Sequence, residues 1–222
     1  MPDGVTHSRF PNLNRAYNAT FQPGKLSLGL VVPLEAYRVG AEPSMERHIE
    51  RVQLAESLGF SALWLRDVPF NVPSFGDAGQ MFDPFVYLGL LSGATRDIGL
   101  GVASIIMPLR HPAHVAKAAA TADQLSNGRL LLGVASGDRP EEYPAMGMTY
   151  QDRGERFRDA LAYIRAMAKA YPVHQGSHGA VSGGVDMLPK PTAGRLPVLI
   201  TGGSQQAPDW IAEHSDGWMT YP

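Results

Sequence analysis

The feature that most constrains this chain is a repeated unit: a short, nearly continuous apolar run, a loop, and a stretch with apolar residues at helical spacing. The apolar runs fall at residues 26–34, 61–65, 98–107, 129–135, 197–201 and 217–221. Each is the length of a buried strand and ends on turn-forming residues. Helices are expected at 44–58, 84–95, from Pro112 to about Asn127, at 153–171 and at 209–214. In the first of these Ser44 is the expected N-cap; Met45, Ile49, Val52, Ala55 and Leu58 share a face and Gly59 ends it. Strands alternating with helices imply a parallel sheet, either doubly wound or closed as a barrel, and periodicity does not choose between them. Residues 1–25 read as a polar arm, 26–222 as one domain, and 172–196 as a Gly/Pro-rich excursion able to form a small hairpin.

Composition narrows the chemistry. A net charge of −2 offers no electrostatic footprint for nucleic acid or for a membrane surface. The absence of cysteine removes disulfides, thiolate nucleophiles, iron–sulfur clusters and thiolate zinc sites, and leaves the cytoplasm as the expected compartment. No run of apolar residues is long enough for a membrane span, and the first residues lack the apolar core of a signal peptide. A small-molecule substrate is therefore expected.

In either α/β architecture reactive groups gather where strands end. Those positions are Pro33 and Leu34, Asp67, Ser104 and its successors, Ser136 to Arg139, Gly202 to Gln205, and Tyr221. None is lysine, which argues against Schiff-base chemistry. Gly202, Gly203, Ser204 and Gln205 lead from a strand into a helix, a geometry suited to a phosphate and equally to an ordinary turn. Arg139 could place a cation beside an anion or simply pair at the surface. Asp123 and Arg129 are expected to form a structural ion pair. His111 and His114 flank a helix start without a companion carboxylate, so no metal is assigned. Asp67, Asp77 and Asp83 crowd a long loop in which aspartate commonly serves turn chemistry.

Three segments, LWLRDVPF, LGVASIIMPLRHPAHVAKAAATADQLSNGRLLLGVASGDRP and PVLITGGSQQAPDWIAEHSDGW, together resemble the bacterial luciferase-like monooxygenases, a likeness running from about residue 26 to 222. The resemblance implies an α/β fold, a (β/α)8 TIM barrel of the luciferase-like type, binding reduced FMN, or in sister branches a deazaflavin, at the C-terminal mouth. Matching the family's motifs places its non-proline cis peptide at Ala103–Ser104 and its phosphate loop at Gly203 and Ser204. Where some relatives carry a phosphate-binding arginine this chain has Ser136, beside Gly137, which leaves Arg139 as the expected cation. The family's catalytic histidine is missing, because Asp67 is followed by Val68 and Pro69, and light emission is not expected.

By that resemblance the chain is expected to be a flavin-dependent oxidoreductase, a monooxygenase using reduced FMN and dioxygen, with Asp67 and Asp138 as catalytic candidates. The implied partners are a small organic substrate, a separate NAD(P)H–flavin reductase and a second copy of the chain. The alternatives are deazaflavin-dependent hydride transfer and a flavin-binding protein without turnover. Six strands do not close an eight-stranded barrel and would leave two edges unpaired, so the sequence is expected to belong to a longer barrel.

Overall fold

The computed structural model describes residues 10–35, 40, 42–76, 78, 79 and 82–220. Six parallel strands, β1 (Gly29–Val31), β2 (Ala62–Leu65), β3 (Gly99–Ile106), β4 (Leu130–Ala135), β7 (Val198–Thr201) and β8 (Gly217–Met219), form one curled sheet in the order β1-β2-β3-β4-β7-β8. Leu30 pairs with Leu63, Leu65 with Val102, Val134 with Ile200, and Ile200 with Trp218. The strands lie in sequence order with no reversal, which is the topology of a barrel and not of a doubly wound sheet. The result is a half-barrel with β1 and β8 at its edges.

Helices α2 (His48–Ser57), α3 (Pro84–Ala94), α4 (Pro112–Leu125), α6 (Arg153–Met167) and α7 (Pro208–His214) link successive strands. A short α5 (Glu142–Ala145) precedes α6, and β5 (Val173–Gly176) pairs antiparallel with β6 (Gly179–Ser182) as the hairpin expected in the excursion. The main core lies between sheet and helices: Leu63, Leu65, Leu100, Val102, Leu130, Leu132 and Ile200 meet Leu88, Leu91, Ala119 and Phe157. The Ala-rich face of α4 lets that helix lie close to the strands.

Four sequence expectations need correction. Helix α2 starts later than Ser44: Arg47 is its N-cap, in the left-handed region, while the Ser44 hydroxyl donates to Glu35 (2.8 Å). Local side-chain bonding there outcompetes the helix start. The first strand contracts from residues 26–34 to three residues. The N-terminal segment carries α1 (Arg15–Thr20), which packs at the base of the half-barrel, where Ala16 and Tyr17 join Ala62, Leu131 and Leu199 in a second core cluster. Its cap, Asn14, bonds the Leu130 carbonyl (2.6 Å) and Asp123 (2.9 Å), and Tyr17 Oη donates to the Asp216 carbonyl (2.7 Å).

Finally, Asp123 and Arg129 do not pair with each other. Asp123 accepts from Asn14 and from both donors of Thr192, whereas Arg129, buried, donates to the carbonyls of Ser92, Thr95, Ile98 and Ser126 and to the Thr95 hydroxyl. The guanidinium fork satisfies backbone acceptors that close packing hides from water. Among the described residues no helix is long and apolar enough to cross a membrane.

Candidate active site at the barrel mouth

The C-terminal ends of β2, β3, β4 and β7 surround a cavity of about 350 Å³. It gathers all eleven residues expected from sequence: Asp67, Ala103, Ser104, Ser136, Gly137, Asp138, Arg139, Gly202, Gly203, Ser204 and Gln205. It also holds residues that sequence reasoning did not select, chiefly Glu142, Tyr150 and Arg153. Tyr221 and Asp77 lie outside the described residues.

The floor is set by β3. The Ala103–Ser104 peptide is cis, and the pairing with β4 shifts register between Val102 and Ile105. Opposite this bulge sits Gly133; a Cβ there would lie inside van der Waals contact of the Val102 carbonyl oxygen, so the close approach requires glycine. Ser104 Oγ donates to Thr201 Oγ1, joining β3 to β7 across the cavity floor. At the end of β4, Gly137 has φ +79°, and a Cβ would lie 2.8 Å from Ile106 Cγ2.

One end of the cavity is formed by the loop after β7. After β7, Gly202, Ser204 and Gln205 all have positive φ, uncommon for the two non-glycine residues and a signature of a backbone shaped around something else. The N–H groups of Gly203, Ser204 and Gln205 have no acceptor among the described residues. Ser204 Oγ accepts from the Ser136 N–H (3.3 Å) and donates to the Thr201 carbonyl (2.8 Å), so its hydroxyl locks the ends of β4 and β7 together.

Facing this loop, Arg153 stacks on the Tyr150 ring (3.6 Å) and donates to the Tyr150 carbonyl (2.9 Å). Its Nε is buried without a partner, and no described carboxylate pairs with it. Unpaired N–H groups beside an uncompensated guanidinium fit a phosphate group.

Arg139, the cation expected from sequence, is otherwise engaged. It is buried, lies 3.6 Å from Glu142 Oε1, and sits under the Phe75 ring at 4.9 Å. Arg153 is a second cation in the lining, one that sequence reasoning did not select. The missed signal was a cation in the first turn of a helix, where the helix dipole disfavours positive charge and some other interaction must hold it.

At the other end, Asp67 is held in a fork: Arg110 Nε donates to Oδ2 (2.9 Å), Arg110 Nη2 to Oδ1 (2.7 Å), and the Ile106 N–H to Oδ2 (3.1 Å). Arg110 also reaches Asp83 (2.9 Å), which caps α3. Burial opposes the guanidinium charge, but the two carboxylates override it and raise the Arg110 pKa. A carboxylate held by three hydrogen bonds, two of them from a guanidinium, positions the loop. Asp138 is exposed at the rim.

Glu142 is the acid with unusual surroundings. It is 2% exposed, its Oε1 accepts no hydrogen bond, and burial pushes its pKa up, with Asp67 adding to the rise and Arg139 opposing it. His111 serves as the N-cap of α4, its Nδ1 accepting from the Ala113 N–H (3.2 Å).

A parallel half-barrel with its polar cavity at the C-terminal strand ends defines a TIM-barrel-type protein with a mouth-located ligand site. The family model for luciferase-like monooxygenases matches residues 27–222, and the chain belongs to that family.

The oxygenase component of the flavin-dependent trigonelline monooxygenase of Acinetobacter baylyi is 30% identical, over 74% of this chain and 42% of that protein. The F420-dependent hydroxymycolic acid dehydrogenase of Mycobacterium tuberculosis is 27% identical, over 90% of this chain and 54% of that protein. The monooxygenase RslO1 from Streptomyces bottropensis superposes with a TM-score of 0.67 at 25% identity, covering 79% of this chain and 53% of that one. The chain spans between 42% and 66% of the length of the curated relatives it matches.

Proposed function

We propose that the barrel mouth binds reduced FMN and that the protein is the oxygenating partner of a two-protein flavin monooxygenase acting on a small organic substrate. The observation that carries this reading is the anion cradle: the unpaired N–H groups of residues 203–205 opposite Arg153. When bound, reduced FMN supplies the reaction with dioxygen that leads to substrate oxygenation. The chain's own residues hold the phosphate with Arg153 and the loop amides and set the cavity floor with Ala103 and Ser104. Asp67 ties the end of β2 to the turn after β3, and Glu142 places a buried carboxyl beside Arg139. The oxygenase-component relative supports a separate NAD(P)H-dependent flavin reductase, and the cytoplasm is the compartment where the two would meet. A second copy of the chain remains the proposed assembly partner.

The relative with an F420-dependent activity supports a second reading, hydride transfer through a deazaflavin at the same mouth. The test is titration of the protein with reduced FMN and with reduced F420 under anaerobic conditions, in wild type and Arg153→Ala. Preference for FMN, weakened by the substitution, supports the monooxygenase reading. Preference for F420 transfers the function to hydride chemistry, and binding of neither by folded protein removes both. Bound flavin without substrate-dependent oxygen uptake would point to the non-catalytic alternative.

A further inference from the structure

A second cavity, of about 290 Å³, lies on the outer wall of the half-barrel, between α4, α6 and the segment that leads from the hairpin into β7. It is separate from the mouth and shares none of its lining residues. It exists because α4 presents only Ala116 and Ala120 toward Ile164 of α6, while the prolines of the incoming segment keep that segment from collapsing onto the gap. Met187 and Leu196 complete an almost wholly carbon-lined chamber.

The rim is of one charge. Three cations, Arg165, Lys169 and Arg195, line the cavity, and no carboxylate does. Two of them are built into the wall: Arg165 donates to the His214 carbonyl (2.6 Å), and Arg195 forms a two-pronged pair with Asp216 (2.9 and 3.0 Å). The third, Lys169, is exposed, and its ammonium has no hydrogen-bond or ion-pair partner among the described residues. An apolar chamber large enough for a small ligand, with an uncommitted ammonium at its entrance, is complementary to a molecule with a hydrocarbon tail and an anionic head.

We propose that this cavity binds a medium-chain alkyl carboxylate, with the tail between α4 and α6 and the carboxylate at Lys169. The head group stays in water-accessible surroundings, so its charge is not buried at a cost, while the tail leaves water.

The test is calorimetric titration of the folded protein with decanoate, shorter carboxylates of the same series, and decan-1-ol as the uncharged control. Affinity should rise roughly fourfold per added methylene until the chamber is filled. Decanoate should bind about twofold to fivefold more tightly than decan-1-ol, and Lys169→Glu should abolish that difference while sparing decan-1-ol binding. Because Lys169 is exposed, this variant carries little folding risk. The tail is located independently by methyl NMR: decanoate should shift Met167 and Met187, which line the chamber, in the wild-type protein. Equal affinity for decanoate and decan-1-ol, a Lys169→Glu variant that binds decanoate unchanged, shifts confined to other methionines, or no binding at all would each overturn the proposal.

Discussion

Asp67 and Arg110 meet in a two-pronged ion pair, Nε to Oδ2 at 2.9 Å and Nη2 to Oδ1 at 2.7 Å, with the carboxylate 1% exposed and the arginine side chain 25% exposed. The pair joins the end of β2 to the turn after β3 and, through Asp83, to the start of α3. Arg110→Ala should therefore cost about 3 kcal/mol in urea unfolding, because it strands a buried charge, while Asp67→Asn should cost less. Equal and negligible losses would show that the pair does not hold the loop.

Arg153→Ala should weaken phosphate-bearing flavin by about tenfold to a hundredfold, the range for a lost hydrogen bond to a charged group, with little change in stability. Arg153→Lys should recover part of the loss, since the charge remains but the fork does not. Fluorescence titration at two salt concentrations checks both, as the arginine contribution should shrink with added salt.

Glu142 makes folding sensitive to pH in a definite direction. Its folded-state pKa is raised, mainly by burial, so the folded protein binds this proton more tightly than the unfolded chain does. The stability from that proton is present below the ordinary glutamate range and is lost as pH rises through the folded value. Glu142→Gln should remove this fall, so its urea midpoint should gain on wild type as pH is raised from about 4 to 8. Parallel curves for the two proteins would contradict it.

Glu56 should behave in the opposite sense. Burial works against its charge, but one oxygen accepts from the N–H groups of Arg96 (2.9 Å), Asp97 (2.6 Å) and Ile98 (2.9 Å), and the net effect lowers its pKa. Its contribution is present above the ordinary range and is lost as pH falls through the folded value. Glu56→Gln should cost about 1–3 kcal/mol near neutrality and progressively less in acid, measured by the same unfolding series.

Gly133→Ala should push β4 away from the bulge of β3 and cost about 1–3 kcal/mol from overpacking. Because the displaced strand leads directly into Ser136, flavin affinity should fall with stability. A variant that unfolds and binds like wild type would show that the bulge tolerates a side chain.

The strands were legible because buried parallel strands are almost uniformly apolar, and runs such as residues 129–135 leave little choice. The mouth was legible for a topological reason: once strand ends are located, the residues after them share a rim. What sequence did not show was pairing. Arg139 and Arg153 are both arginines in loops or first turns, and only the three-dimensional fold places one beside Glu142 and leaves the other with no described ion-pair partner. Asp123 and Arg129 were close enough in sequence to suggest a bridge, but Asn14 and Thr192 claim the aspartate and backbone carbonyls claim the arginine. Helix α1 escaped because six residues, three of them buried, span too few turns to show a measurable period.

Helix α1 also has a kinetic consequence. Its anchors are Asp123, Gly128, Leu130 and the Asp216 carbonyl, the last 199 positions away in sequence. A helix of six residues has little stability alone, and its docking surface does not exist until β4, β7 and β8 have assembled. The segment therefore waits, undocked, for strands that follow it by more than a hundred positions, and its docking reports that β4, β7 and β8 are in place.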